Sequence, residues 1–193
     1  SMKLGLSFPQ TEIGTDPIVI KDFLQAAEEL GYDFVTFVDH VLGEEAPRGA
    51  TFANKYTRDY MFHEVMVLMG YAAAVTQKIG LGTAVMILPQ RQAVLVAKQA
   101  AEIDILSGGR LRLGVGLGWN KVEYDALGMT FGNRAKRFGE QIDVMRKLWS
   151  NRTVEYNGEF HKFESAGINP EPVQRPIPAV SYTHLRAHET VVY

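Results

Sequence analysis

Residues 79–120 read IGLGTAVMILPQRQAVLVAKQAAEIDILSGGRLRLGVGLGWN, and this stretch decides the class of fold. An apolar run over 79–87 is followed by a helical pattern over 92–106, a glycine-containing turn, and a second apolar run over 110–117. Two apolar strands joined by a helix are typical of the βαβ unit, in which the strands are parallel. The stretch therefore predicts a parallel sheet with crossover helices.

The same alternation extends toward the N-terminus. An apolar run over 3–8 precedes a helical pattern that starts with Asp16 as N-cap and Pro17 at the first helical position. A β-branched and aromatic run over 34–38 follows, and a helical pattern over 60–76 leads to residue 79. Because the strands are almost continuously apolar, we predict an α/β fold whose parallel sheet is covered on both faces.

The rhythm changes after residue 120. Asn133 is the expected N-cap of a helix that runs to about Ser150. Asn157-Gly158 then lies between alternating residues, which is a strong short-range signal for a β-hairpin. A proline-rich stretch leads to residues 177–180, the predicted start of a fifth strand.

The end of the chain, residues 181–193, does not continue the alternation. Its string SYTHLRAHET resembles the translation of a sequencing adapter. We therefore predict one domain over 1–180 and a tail over 181–193 that is foreign to it. His184 and His188, four residues apart, are a weak candidate pair of metal ligands, and without a third ligand we predict no metal site.

Composition limits the classes of function. The formal net charge is -2 and no basic block occurs, which argues against a nucleic-acid-binding protein. The sequence has no cysteine, no pattern of a secretory signal, and no apolar run that approaches the roughly 20 residues of a membrane helix. These features predict a soluble, cytoplasmic protein.

In parallel α/β folds, ligands bind beyond the carboxyl ends of the strands. That rule selects the segments 8–10, 39–40, 83–89 and 116–120. The adjacent Asp39 and His40 are the most reactive pair, because histidine exchanges protons near neutral pH and a carboxylate can orient it. A histidine that only closes a strand through hydrogen bonds is the alternative, and neighbouring strand residues point to opposite faces.

The glycine-rich segment 113–118 is similar to a dinucleotide-binding loop, but it lacks the third glycine and no helix is predicted directly after it. The glycines would instead allow a flat ring to approach bare backbone, or would serve only to pack the fold. Trp119 could stack on that ring or pack in the core.

Together these segments resemble the luciferase-like monooxygenase superfamily, in particular its coenzyme F420-dependent oxidoreductase branch. The matching pieces are LGLSFPQTEIG, AAEELGYDFVTFVDHVLG, residues 79–128, EQIDVMRKLW and NPEPVQRPIP. The resemblance implies a partial (β/α)8 TIM barrel, with about the first four to five βα units and a β-hairpin insertion before strand 5. A whole barrel of this kind takes about 250 residues, so we expect the chain to end before the barrel is complete.

The resemblance also implies roles for individual residues. Asp39 and His40 match a pair beside the deazaflavin, where the histidine assists proton transfer or binds substrate. Ala84-Val85 matches a bulge whose backbone presses against the central ring, often through a cis peptide bond. Trp119 stands where sugar-phosphate dehydrogenases of the family have a catalytic glutamate, which argues against that activity. The expected cofactor-binding residues are Phe8, Gln10, Thr83, Ala84, Val85, Gly116, Gly118, Trp119 and Asn120.

The implied reaction is hydride transfer between C5 of coenzyme F420 and a small organic substrate, with a proton supplied through His40. An FMN-dependent monooxygenase of the same fold is the first alternative. A non-catalytic half-barrel that serves in assembly is the second. We further expect a homodimer, because half a barrel leaves apolar surface uncovered, and weak cofactor binding by the chain on its own.

Overall fold

The computed structural model describes residues 2–45, 56–182 and 191–192. Its strands are β1 (Gly5–Ser7), β2 (Phe34–Phe37), β3 (Gly80–Ile87), β4 (Leu111–Gly116), β5 (Val154–Asn157), β6 (Lys162–Ala166), β7 (Ala179–Tyr182) and β8 (Val191–Val192). Its helices are α1 (Pro17–Glu29), α2 (Val65–Val75), α3 (Ala93–Leu106), α4 (Lys121–Ala126) and α5 (Arg134–Ser150), with a 3-10 turn at Leu88–Gln90.

The main sheet has the strand order β1-β2-β3-β4-β7-β8. The first five of these strands are parallel, and β8 pairs antiparallel with β7. This is the arrangement of the first five strands of a (β/α)8 barrel, and it confirms the predicted fold class. Strands β5 and β6 form a separate antiparallel hairpin before the fifth parallel strand, as predicted.

The prediction that the sheet is covered on both faces was wrong. Helices α1, α2, α3 and α5 pack on one another in chain order along one face. The parallel strands follow one another in sequence order, so every right-handed crossover places its helix on the same side. On the other face, Phe34, Arg112 and Tyr182 line a hollow of about 230 Å³ and are exposed.

Helix α2 begins five residues later than the predicted residue 60. The Glu64 side chain accepts a hydrogen bond from the Val67 backbone N–H at 2.7 Å and caps the helix there. The residues before the cap are not helical, and they carry Phe62 to the ring of His40. The cap thus separates a helix that packs against α3 from a loop whose residues Tyr60, Met61 and Phe62 line a separate hollow beside His40.

The hairpin turn is wider than the Asn157-Gly158 pair suggested. Asn157 still pairs with Lys162, and residues 158–161 form the loop. The Glu140 carboxylate on α5 accepts hydrogen bonds from the backbone N–H groups of Glu159 and Phe160, and from His161 Nδ1 at 2.7 Å. A carboxylate from another element therefore shapes this turn, which short-range sequence signals do not reveal.

Arg110, just before β4, holds the C-terminal end of α2. Its guanidinium donates hydrogen bonds to the carbonyl oxygens of Ala73, Thr76, Ile79 and Ser107 and to the Thr76 hydroxyl. Carbonyls at a helix end have no partner within the helix, so a fixed cation there satisfies several of them at once. Arg110 thereby fixes α2 against the start of β3 and β4.

The prediction that His184 and His188 bind no metal concerns residues outside this description, since both lie in the segment 183–190. Strand β7 ends at Tyr182, so it crosses the expected boundary between residues 180 and 181. Within 2–45 and 56–182, no helix is both long enough and apolar enough to cross a membrane.

Candidate active site

A cavity of about 420 Å³ lies at the carboxyl ends of β2, β3 and β4. Its volume falls in the range of roughly 300–1,000 Å³ that is usual for small-molecule sites. Most of the residues that the sequence selected line it: Asp39, His40, Ala84, Val85, Gly116, Gly118, Trp119 and Asn120. The parallel register brings these segments together, because their strands all end at one edge of the sheet.

Three selected residues lie elsewhere. Phe8 is buried in the core, where its ring packs edge-on against Phe23 and beside Phe37. The Gln10 amide donates to the Val38 carbonyl at 2.6 Å, so it braces the end of β2. The Thr83 hydroxyl exchanges hydrogen bonds with the backbone of Gly114 between β3 and β4. None of the three belongs to the lining of the cavity.

Asp39 supports the cavity wall and does not pair with His40. Its buried carboxylate accepts a hydrogen bond from the Ile87 backbone N–H at 3.0 Å and two from the Arg91 guanidinium, at 2.8 and 3.2 Å. Burial alone would lower the pKa of Arg91, but Asp39 and Glu64 raise it above its ordinary value. The ion pair fixes the end of β2 to the turn after β3.

The partner of His40 is Glu123, which is distant in sequence. The two side chains approach at 3.2 Å between His40 Nδ1 and Glu123 Oε2, and Glu123 is almost fully buried. The other carboxylate oxygen accepts from the Val41 backbone N–H at 2.6 Å. Burial alone would raise the pKa of Glu123, but these hydrogen bonds lower it below its ordinary value. An ionised carboxylate thus orients the imidazole ring.

Aromatic rings surround the other sides of His40. The imidazole centroid lies 4.6 Å from the ring of Tyr56 and 4.5 Å from the ring of Phe62. Tyr56 in turn stacks on Trp119, with 6.3 Å between centroids. Trp119 keeps 59% of its surface exposed, so its ring is available for contact with a ligand at the cavity mouth.

Strand β3 contains the bulge that the resemblance implied. The pairing with β4 shifts register between Thr83 and Met86, and the peptide bond between Ala84 and Val85 is cis. Opposite it, a Cβ on Gly116 would approach Val85 Cγ2 to 2.9 Å. A side chain at position 116 would therefore press on Val85, which supports the structural interpretation of this glycine. Ala84 itself is exposed to the cavity.

Helix α4, which the sequence analysis missed, supplies Glu123. The Asn120 side chain accepts from the Val122 backbone N–H at 3.2 Å and caps this short helix. Tyr124 donates from its hydroxyl to the Leu117 carbonyl, and burial raises the pKa of this phenol to about 12. Only a polar cap marks such a helix in sequence, because a segment this short shows no apolar period.

Sequence reasoning also missed Gln90, Arg134 and Tyr182, all of which line the cavity. Gln90 is almost fully buried, and its amide nitrogen and oxygen have no hydrogen-bond partner among the described residues. Arg134 contacts the Phe131 ring, and its Nε is buried without a hydrogen-bond partner among the residues that the structure describes. The segment selected at the end of β3, residues 83–89, stops one residue before Gln90, so its position just past that strand was the available signal.

Comparison with known proteins agrees with this geometry. The model of the luciferase-like monooxygenase family matches residues 6–183. Pyrimidine monooxygenase RutA of Stutzerimonas stutzeri is 33% identical over 161 residues, which cover 79% of this chain and 41% of RutA.

Solved structures with the same fold include the following two. Monooxygenase RslO1 from Streptomyces bottropensis superposes with a TM-score of 0.75 at 26% identity, over 93% of this chain and 53% of that one. The coenzyme F420-dependent tetrahydromethanopterin reductase of Methanopyrus kandleri superposes with a TM-score of 0.70 at 22% identity, over 93% and 49%. The chain thus spans about half the length of these proteins. Because the family model matches nearly the whole of this chain, the chain belongs to the luciferase-like monooxygenase family.

Proposed function

We propose that this chain forms part of an oxidoreductase that transfers a hydride between coenzyme F420 and a small organic substrate. The observation that carries the proposal is the His40–Glu123 pair at 3.2 Å in a cavity at the carboxyl ends of three parallel strands. A buried carboxylate that fixes a histidine is a common arrangement for proton transfer in enzymes.

The cavity residues fit a flat, partly polar ring. Ala84 is exposed at the bulge and offers only a methyl group, while Trp119 offers an aromatic face. Gln90 offers an amide whose polar atoms are buried and without partners in the described chain. Bound here, coenzyme F420 would supply or accept the hydride. The bulge and Trp119 would hold the ring, and Tyr56 and Phe62 would exclude water from His40.

His40 would move the proton that accompanies the hydride. Its Nδ1 is engaged with Glu123, so Nε2 is the ring nitrogen that can exchange a proton with the substrate. Reduction of a carbonyl places a hydride on carbon and a proton on oxygen, and oxidation of an alcohol removes both. The Glu123 carboxylate stabilises the protonated imidazole, as an acidic partner of a catalytic histidine does.

An FMN-dependent monooxygenase is the second candidate. Its support is that RutA and RslO1 are both named monooxygenases and are more similar in sequence to this chain than the F420-dependent reductase is. The same cavity residues would hold the FMN ring.

The test is titration of the purified chain with coenzyme F420 and with FMN, followed by quenching of ligand fluorescence. We expect saturable binding of F420 that His40→Ala weakens. His161→Ala is the matched control, because it removes a histidine that also pairs with a carboxylate, Glu140, but lies outside this cavity. Tight binding of FMN alone would favour the monooxygenase, and binding of neither by folded protein would contradict both candidates.

A further inference from the structure

Gln90 differs from the other buried glutamines near the sheet. The amide nitrogen of Gln10 donates to the Val38 carbonyl, and that of Gln141 donates to the Arg91 carbonyl at 2.9 Å, so in each of them only Oε1 lacks a partner among the described residues. Gln90 is 2% exposed, yet neither Nε2 nor Oε1 has a partner among the described residues. It ends the 3-10 turn that follows the bulge in β3, and it lines the cavity beside Ala84 and Val85.

Buried polar groups in native proteins nearly always have hydrogen-bond partners, and each exception calls for an explanation. A leucine or methionine would fill the volume of the Gln90 side chain without an unpaired amide. The explanation that fits a cavity-lining position is a ligand that completes the hydrogen bonds. The two unpaired atoms are a donor nitrogen and an acceptor oxygen in a single plane, which specifies the chemistry of that ligand.

We propose that Gln90 recognises the edge of a cyclic amide or imide, in which a ring N–H stands beside a C=O. The ring N–H would donate to Oε1, while the ring carbonyl would accept from Nε2, as in the paired contacts by which a glutamine amide binds a nucleobase edge. A carboxylate ligand would use only the donor and would place its charge against Oε1. An aliphatic ligand would leave both atoms unpaired.

Arg134 supplies a second feature of the same edge. It is the first residue of α5, it lines the cavity, and its Nε is buried without a partner among the described residues. Helix α5 is held against the turn that carries Gln90, since Arg137 Nη1 donates to the Pro89 carbonyl at 2.8 Å. An imide has a carbonyl on each side of its N–H, and the Arg134 Nε–H provides a donor for the second carbonyl.

Two ligands contain this edge. The pyrimidine ring of a flavin or deazaflavin has it, and that source rests on the proposed function. A pyrimidine-like substrate also has it, and that source stands independently of the cofactor. The probes are lumiflavin, its N3-methyl derivative, which lacks the N–H, and uracil.

The experiment measures the dissociation constants of lumiflavin and 3-methyllumiflavin, by flavin fluorescence, for the full chain and for Gln90→Leu. For the unaltered chain, we expect N3-methylation to weaken binding about tenfold, the usual effect of one lost hydrogen bond with a polar group left unpaired. Gln90→Leu should weaken lumiflavin binding by a similar factor. This variant should bind lumiflavin and 3-methyllumiflavin with the same dissociation constant. Gln77→Leu, on the exposed surface, is the matched control.

A second measurement separates the two sources. Uracil should raise the midpoint of thermal unfolding of the unaltered chain, and not of Gln90→Leu, if the edge belongs to a substrate. Uracil stabilisation that depends on Gln90 without any flavin binding would support this inference and contradict the proposed function. Gln90→Glu keeps the shape and an acceptor but lacks the donor, and it replaces Gln90→Leu if the latter fails to fold. Ligand binding insensitive to both Gln90 and N3-methylation, or no binding of any probe, would overturn the inference.

Discussion

Replacement of Glu123 by glutamine tests the contact between His40 and Glu123, which lie 83 residues apart in the sequence. The carboxylate accepts from His40 Nδ1 at 3.2 Å and from the Val41 N–H at 2.6 Å, and it is about 1% exposed. Glutamine has the same shape but only one acceptor atom. Its amide nitrogen must therefore face either the Val41 N–H, which then loses its acceptor, or the imidazole, whose Nδ1 must then accept instead of donate. In both orientations the charged acceptor is lost.

The expected loss of stability follows from the charge of the acceptor. A hydrogen bond to a charged group contributes about 1.5–3 kcal/mol, so Glu123→Gln should lower the free energy of unfolding by about 2 kcal/mol at pH 7. In a domain of this size, each kcal/mol shifts the melting temperature by about 2–4 °C. We therefore expect the melting temperature to fall by about 4–8 °C.

The effect should depend on pH. Burial alone would raise the pKa of Glu123, but hydrogen bonds from His40 and from the backbone of Val41 and Leu42 hold it below the unfolded value of 4.5. A depressed folded-state pKa means that the stabilisation is complete above the unfolded pKa and is lost as the pH falls through the folded pKa. Glutamine does not titrate, so the difference between the two proteins should shrink below about pH 4.

Urea denaturation at pH 7 and at several lower pH values measures this difference, with exposed Glu102→Gln on α3 as the control. The control should stay within about 0.5 kcal/mol of the unaltered chain. A Glu123→Gln protein as stable as the unaltered chain at pH 7, or a difference that stays constant on acidification, would refute the reasoning.

Three further predictions concern the framework. Gly114→Ala places a Cβ 2.3 Å from the Thr83 carbonyl oxygen, so β3 and β4 must separate and calorimetry should show a loss of about 3 kcal/mol or more; a near-normal melting temperature would contradict this. Arg110→Met removes five hydrogen bonds, three of them at the end of α2, and should lower the free energy of unfolding by about 3–4 kcal/mol in urea denaturation; unchanged stability would contradict this. Val67 is 74% exposed on α2, a helix with no charged residue. We therefore expect Val67→Lys to dissociate a homodimer in sedimentation experiments. An unchanged molecular mass of the assembly would exclude this helix as the interface.

Local patterns determined the elements and the edge of the sheet at which ligands bind. Asp16 before Pro17 predicted the start of α1, and Asn133 precedes α5 as expected, although its side chain accepts from Arg137 Nε and caps no backbone N–H. Continuous apolar runs predicted the parallel strands, and parallel strands bring Asp39-His40, Ala84-Val85 and residues 116–120 to one edge. These inferences succeeded because strand and helix periods, caps and the direction of parallel strands depend on interactions over only a few residues.

Only the tertiary structure decided the partners of those residues. Asp39 is next to His40 in the sequence. In the fold, however, Asp39 pairs with Arg91, and His40 pairs with Glu123, 83 residues away. The amide of Gln90 is unpaired only because of what surrounds it in space. Hydrogen bonds and ion pairs act within a few ångströms, so their partners are set by the order of strands and by the packing of helices, which a single sequence does not contain.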